Sequence, residues 1–209
     1  AVYVYDNNSS DGTGDIARAH GATVKVERRQ GKGSDSAVYK LELLMQQAGV
    51  TADIRPVVTE ANRVARETGE PAMAIELPDG TVVTGKTGPL LGAASSALLN
   101  ALKKLAAIDQ ELDLVSQHTI EPIQTLKTNY LGSKNPRLHT DEILIALSGS
   151  AADDEAANTA LHQIPKLKGC DIHSTVILSA VDTDTLKKLG MYLTCDPVYE
   201  EEDRKYHKK

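Results

Sequence analysis

Hydrophobic positions along the chain recur with two periods, and the period changes from stretch to stretch. Strict alternation in "AVYVYD" predicts a strand over 1–6, and "ATVKVER" predicts a second over 22–28. The polar turn "NNSSDGTG" and a short helix over 15–21, closed by Gly21, lie between them and complete a β-α-β unit. A polar, glycine-rich loop follows over 29–36. Val38, Leu41, Leu44 and Met45 then fall on one face of a helix predicted over 37–49. A second helix is predicted over 53–69, with Asp53 near its start and Gly69 at its end. "AMAIELPDGTVVTG" reads as two strands around a Pro-Asp-Gly turn. The long apolar stretch over 89–108 predicts a buried helix.

Beyond it the pattern predicts a strand over 112–116 and a helix over 120–132. "DEILIALS", 141–148, is an unbroken apolar run of the kind that fills a fully buried strand. A helix over 153–164, a strand over 173–179, a helix over 182–190 and a strand over 191–196 complete the pass. From Pro71 onward the expected order is β-β-α-β-α-β-α-β, which argues for a three-layer α/β/α sheet domain. The organisation expected is a β-α-β fragment over 1–36, a helical segment over 37–70 and the α/β domain over 71–209. That hairpin-first order is similar to the cytidine deaminase fold. The residues at the starts of its two core helices supply neither His-x-Glu nor Pro-Cys-x-x-Cys, and only His118 and Glu121 there are reactive.

Composition narrows the functional classes. The 209 residues include no Trp and no Phe, so the core must be aliphatic. A net charge of −6 and a pI of about 5.5 argue against nucleic acid as a partner. No apolar run approaches the length of a membrane span. Two cysteines make no disulfide framework. The expectation is a soluble, cytoplasmic protein with no membrane or nucleic-acid partner, no cofactor and an unidentified small-molecule ligand.

Three motifs invite chemistry. "GTVVTGKT", Gly80 to Thr87, spells the phosphate-binding P-loop. Its variable positions Thr81, Val82, Val83 and Thr84 favour an extended strand over an anion-cradling loop. The reading that survives places a phosphate or carboxylate on Gly85, Lys86 and Thr87, at the start of the next helix. "SGSAADD", 148–154, joins the strand expected over 141–148 to a helix, the location where open α/β sheets bind ligands, and Asp153 and Asp154 there read as a helix cap. His139, Asp141, Cys170, His173 and Cys195 cluster late in the chain. They offer metal ligands, chiefly His139, Cys170, His173 and Cys195, or a cysteine–histidine nucleophile. The acidic turn "DNNSSDGTGD" fails the register of a calcium loop.

Two stretches resemble known families. "VYVYDNNSSDGTGDIARAHGATVKVERRQGKG" resembles the nucleotide-binding start of family 2 glycosyltransferases. The resemblance implies base contact by Asp6, a second acidic position at Asp11, and a basic Gly31-Lys32-Gly33. That family's preceding strand, its Asp-x-Asp and its catalytic base have no counterpart here. From about Val38 onward, "KLELLMQQAG", "AIELPDGTVVTGKT", "LLGAASSALLNALK", "IEPIQTLKTNYLGSKNPRLHTDEILIALS" and "HSTVILSAVDTDTLKKLGMYLTC" closely resemble the C-terminal half of a bacterial domain-of-unknown-function family. Some of its members are labelled ATP-dependent peptidases. Two resemblances joined near residue 36, in a chain that opens directly on a strand, imply a chimera that self-associates through uncovered surface. Three functions stay open: an inert scaffold, a phosphate or nucleotide binder at Gly85-Lys86-Thr87, and a metal- or thiol-dependent hydrolase.

Overall fold

A computed structural model describes residues 3–6, 23–26, 35–51 and 54–200. The chain divides into two compact units, Ala1–Thr51 and Ala52–Lys209. The division falls between the two helices expected to share one segment.

In the first unit, β1 (Tyr3–Asp6) and β2 (Thr23–Val26) pair in parallel, with Tyr3 opposite Thr23 and Asp6 opposite Val26. The helix α1 (Asp35–Ala48) follows. The connection expected to hold a helix over 15–21 lies outside the described residues, and so do Asp11, Gly31, Lys32 and Gly33.

The second unit is a mixed α/β domain around a four-stranded open sheet. It begins with α2 (Pro56–Thr68), which opens on a proline and closes on Gly69 at φ 73°. β3 (Ala72–Glu76) and β4 (Val82–Lys86) form the expected hairpin, with Ala74 opposite Thr84. The sheet order is β4-β3-β5-β6, where β5 is Asp171–Ser174 and β6 is Tyr192–Cys195. β5 runs antiparallel to β3 and parallel to β6.

The period-2 alternation of β3 serves two cores. Ala74 packs with Val57 and Ala61 of α2, while Met73 and Ile75 join the larger cluster around the buried α3 (Ala93–Leu105). Gly85 sits where α3 crosses β4 most closely. A Cβ there would lie 2.1 Å from the backbone nitrogen of Ala97. Packing of α3 on the hairpin, and not an anion loop, therefore requires this glycine.

Two expected strands are absent. Residues 112–116 form turns at the entrance to α4 (Gln117–Thr125), which continues into a π-helical turn over Leu126–Tyr130. Residues 141–148 lie inside α5 (Thr140–Ser150). Ile143, Ala146 and Leu147 are buried at helical spacing, whereas Ile145, inside the same apolar run, is 72% exposed. α6 (Glu155–Leu161), a 3-10 turn over Ile164–Leu167 and α7 (Ala180–Lys188) complete the unit. The order from β3 is thus β-β-α-α-α-α-β-α-β, and the likeness to the deaminase order does not hold. "SGSAADD" joins two helices, and Asp154 caps the second by accepting from the Ala157 amide at 2.9 Å. Among the described residues no helix is long and apolar enough to cross a membrane.

Candidate functional site: a crevice where three helices begin

α3, α5 and α7 all start around one small crevice, and each start is built differently. Leu138 locks the wall of the crevice in place. Its amide donates to the Leu90 carbonyl at 3.0 Å, and its carbonyl accepts from the Ser95 hydroxyl at 2.9 Å. Arg137 donates to the Gly88 carbonyl at 3.0 Å and pairs with Glu200 at 2.7 Å. The π-helical turn brings the buried Lys127 against the same segment, where it donates to the Arg137 carbonyl and to Glu142 Oε2, both at 2.6 Å.

The start of α5 is satisfied from within the protein. Glu142 Oε2 accepts from the His139 amide at 2.8 Å, and Asp182 Oδ1 accepts from the Thr140 amide at 2.8 Å. The start of α7 is satisfied by Ser179, whose hydroxyl accepts from the Asp182 amide at 3.1 Å. The start of α3 has no side-chain cap. Its N-cap is Gly92, and Ala93, Ala94 and Ser95 are buried at the crevice. The first helical hydrogen bond belongs to Ser96, whose amide donates to the Gly92 carbonyl. The amides of Ala93, Ala94 and Ser95 find no acceptor among the described residues. Buried orphan donors at a helix start carry partial positive charge and are unfavourable until something accepts from them.

Facing these amides is an acid–base pair. His139 Nδ1 donates to Asp182 Oδ2 at 2.9 Å. That hydrogen bond raises the imidazole above its ordinary value of 6.5, against the opposing pull of burial, and the Asp182 charge adds to the effect. Burial works to raise Asp182. The hydrogen bond and charge of His139, with the Thr140 amide and the Ser179 hydroxyl, overcome it and hold the carboxyl below its ordinary 3.8. Asp182 is therefore ionised and accepts only, which fixes the proton on Nδ1. Nε2 of His139 has no hydrogen-bond partner among the described residues, and His139 lines the crevice. A carboxylate-oriented imidazole of this kind can exchange a proton at its free nitrogen.

A serine nucleophile is not assembled. Ser179 Oγ lies 3.4 Å from Nδ1, the nitrogen already engaged by Asp182, and its own proton goes to Asp182 at 2.7 Å. The crevice offers about 40 Å³. One water needs roughly 10–15 Å³ on that measure, so a phosphate or carboxylate group fits and a whole nucleotide does not.

The residues singled out from sequence are dispersed. The alternation of β4 and its exit splits Gly85-Lys86-Thr87 three ways. Gly85 packs under α3, Thr87 lines the crevice, and Lys86 lines a separate cavity of about 330 Å³ on the flank of α3. Asp6 lies in β1 of the other unit. Cys170 is buried, and burial pushes its thiol above the usual range, the wrong direction for a nucleophile. His173 Nδ1 bonds the Thr194 hydroxyl at 2.9 Å, and its Nε2 sits 3.4 Å from Asp196 without hydrogen-bond geometry. Cys195 is on the exposed edge strand β6. No group of three or more metal-ligating side chains converges among the described residues. His118 and Glu121 lie in the first turns of α4, where Glu121 accepts from Gln117.

Sequence reasoning gave no role to Asp182, Ser179 or the Gly92 helix start. Ser179-x-x-Asp182 does have the spacing of a helix-entry box, and that signal marks where α7 begins. Nothing in the sequence ties Asp182 to His139 across 43 positions.

Comparison with known proteins places this geometry in a family. Residues 53–205 match the family described as domain of unknown function DUF1846, C-terminal. A UPF0371 protein of Corynebacterium aurimucosum is 50% identical over 195 residues, covering 93% of this chain and 39% of that protein. UPF0371 proteins of Corynebacterium glutamicum and Streptococcus pyogenes are 50% and 48% identical, each over 175 residues, 84% of this chain and 35% of theirs. The chain thus spans less than two fifths of the relatives it matches. The first match leaves only 14 of 209 residues outside it, so it crosses the junction expected near residue 36. One relative running through both pieces gives no support to a chimera or to a glycosyltransferase start. The chain belongs to the DUF1846 family, and residues 53–205 are its C-terminal domain.

Proposed function

We propose that the crevice at the start of α3 binds a compact anionic group, phosphate or carboxylate, and that His139 gives a proton to it or takes one from it. The observation that carries this reading is the pairing of two unfilled functions on one small space. The buried Ala93, Ala94 and Ser95 amides lack acceptors, and Nε2 of the Asp182-oriented His139 lacks a partner. An anion accepts from the amides and answers the helix dipole. When protonated, His139 adds a charged donor.

Arg137 pairs with Glu200 and His139 with the ionised Asp182, which also lines the crevice, so the favourable field comes mainly from the helix start. The reading retains one element of the Gly80–Thr87 motif, since Thr87 lines the same crevice. Whatever larger substrate the complete proteins of the family act on, this site would hold its anionic end.

The test is an NMR titration of the chain with inorganic phosphate and with acetate at pH 6 and pH 8, on the parent and on His139→Gln. Saturable shifts centred on the Ala93–Ser95 amides, stronger at pH 6 and losing their pH dependence in His139→Gln, are expected. Shifts that are absent, or linear and scattered over the surface, would overturn the reading.

A further inference from the structure

The second cavity on α3 contains a charge that the protein leaves unpaired. It lies along the flank of α3, and Ser96, Leu99, Asn100 and Lys103 reach it at i, i+3, i+4 and i+7, one stripe of the helix. Its volume of about 330 Å³ falls within the range of small-molecule sites, roughly 300–1,000 Å³.

Lys103 is only 8% exposed. Its ammonium donates to two backbone carbonyls, Gln110 at 2.5 Å and Leu112 at 3.3 Å. It makes no ion pair among the described residues. A buried lysine is ordinarily paired, because desolvation disfavours its charge, and burial does lower this one. Asp113, Glu111 and Asp109 act on it from a distance, too weakly to reverse that direction. An ammonium has three donors, and two are used.

We propose that this cavity binds a small amphipathic monoanion, an aliphatic carboxylate whose head pairs with Lys103 and Lys86 and whose hydrocarbon packs among the leucines of the lining. Leu90, Leu91, Leu99, Leu114 and Ile120 supply the apolar walls. The charge of the ligand follows from the charged residues of the lining. Lys86 and Lys103 against Asp113 leave one net positive charge on the lining, which matches a carboxylate, and Asp109 and Glu111, acting on Lys103 from outside the lining, oppose a more highly charged polyphosphate. The site shares no lining residue with the crevice.

The experiment compares hexanoate, hexanol and hexylamine against the full chain by calorimetry at pH 7. Hexanoate is expected to saturate at millimolar concentration, with hexanol at least about tenfold weaker and hexylamine not binding. Lys103→Met keeps the apolar stem, removes the charge, and should weaken hexanoate about tenfold or more. Lys86→Gln should weaken it by a smaller factor. Glu67→Gln on α2, outside both cavities, should leave hexanoate unchanged. Equal affinity for acid and alcohol, no binding at all, or hexanoate binding that ignores Lys103→Met would overturn the proposal. Should that variant not fold, the Lys103 ammonium is followed by NMR in the parent. Its pKa must rise on saturation with hexanoate, and no rise overturns the proposal equally.

Discussion

Three helices begin at the same crevice, and two of them are completed by side chains while the third is not. α5 and α7 share Asp182, which accepts from the Thr140 amide, from His139 and from Ser179. α3 has Gly92 at its cap and no side chain in reach of its first amides. The difference separates structure from capacity to bind. Where the protein satisfies its own donors, the contact holds two helices in register. Where it leaves buried donors open beside a titratable group, the space matches the compact anion proposed for it.

Removing Asp182 breaks the satisfied side of this comparison and should have the largest effect. Asp182→Ala strands the fully buried Thr140 amide and frees His139 and Ser179 at once. Losing one partner of a buried charged pair costs about 3–5 kcal/mol. Urea unfolding should show a loss of that size with an unchanged slope. A loss under 1 kcal/mol would mean that Asp182 does not tie the two helices.

The pH dependence sharpens the same comparison by isolating His139. Its folded value is raised, so its contribution to stability is full below the ordinary 6.5 and is lost as pH rises through the folded value. Asp182 is depressed, so its contribution is full above 3.8 and is lost as pH falls through its folded value. Between the two lies a plateau of stability. Denaturation midpoints taken across pH 3–9 should fall on both sides of it, and His139→Gln should flatten the alkaline limb. An alkaline limb of full size in that variant would assign it to another group.

Ser179→Ala removes only the cap of α7 and should cost about 1 kcal/mol, the usual value for a serine cap. The Thr140 amide keeps Asp182 in this variant, so the effect should stay near one third of that of Asp182→Ala or below. Equal losses in the two would show that the hydroxyl, and not the carboxylate, organises the junction.

How much of this was legible beforehand depended on whether the signal was local. The hairpin over 72–85 was readable, because a Pro-Asp-Gly turn between β-branched and alternating residues determines its own geometry. So were α2, ended by Gly69, and α3. The strand expected over 141–148 is α5 because five apolar residues in a row, Ile143 to Leu147, are compatible with either period. The burial that separates them, Ile143 in and Ile145 out, depends on what packs alongside. Its helix-start signal was also obscured, since the cap is a histidine whose ring is committed to Asp182. At Gly80–Thr87 the β-branched residues indicated a strand, as observed. The close approach of Ala97 that requires Gly85 is a tertiary fact. The site itself joins residues from 92 to 182, and no local pattern points from one to the other.

The smallest change tests the open side directly. Gly92 has φ −72° and ψ 164°, extended values open to any residue, and a Cβ there meets nothing within 4 Å. Gly92→Asp therefore places a carboxylate at the start of α3 without strain. The new side chain accepts from the α3 amides, as an external anion would. Exchanging glycine for a capping residue gains a few tenths of a kcal/mol at the cap, and the narrower unfolded ensemble brings the total to about 0.5–1 kcal/mol. The variant should melt slightly higher than the parent and should lose its response to phosphate and acetate. Stability gained together with binding lost means that the same amides serve both. A variant that gains stability and still binds phosphate as the parent does would place the anion elsewhere, and one that loses stability would show that the start of α3 was never short of an acceptor.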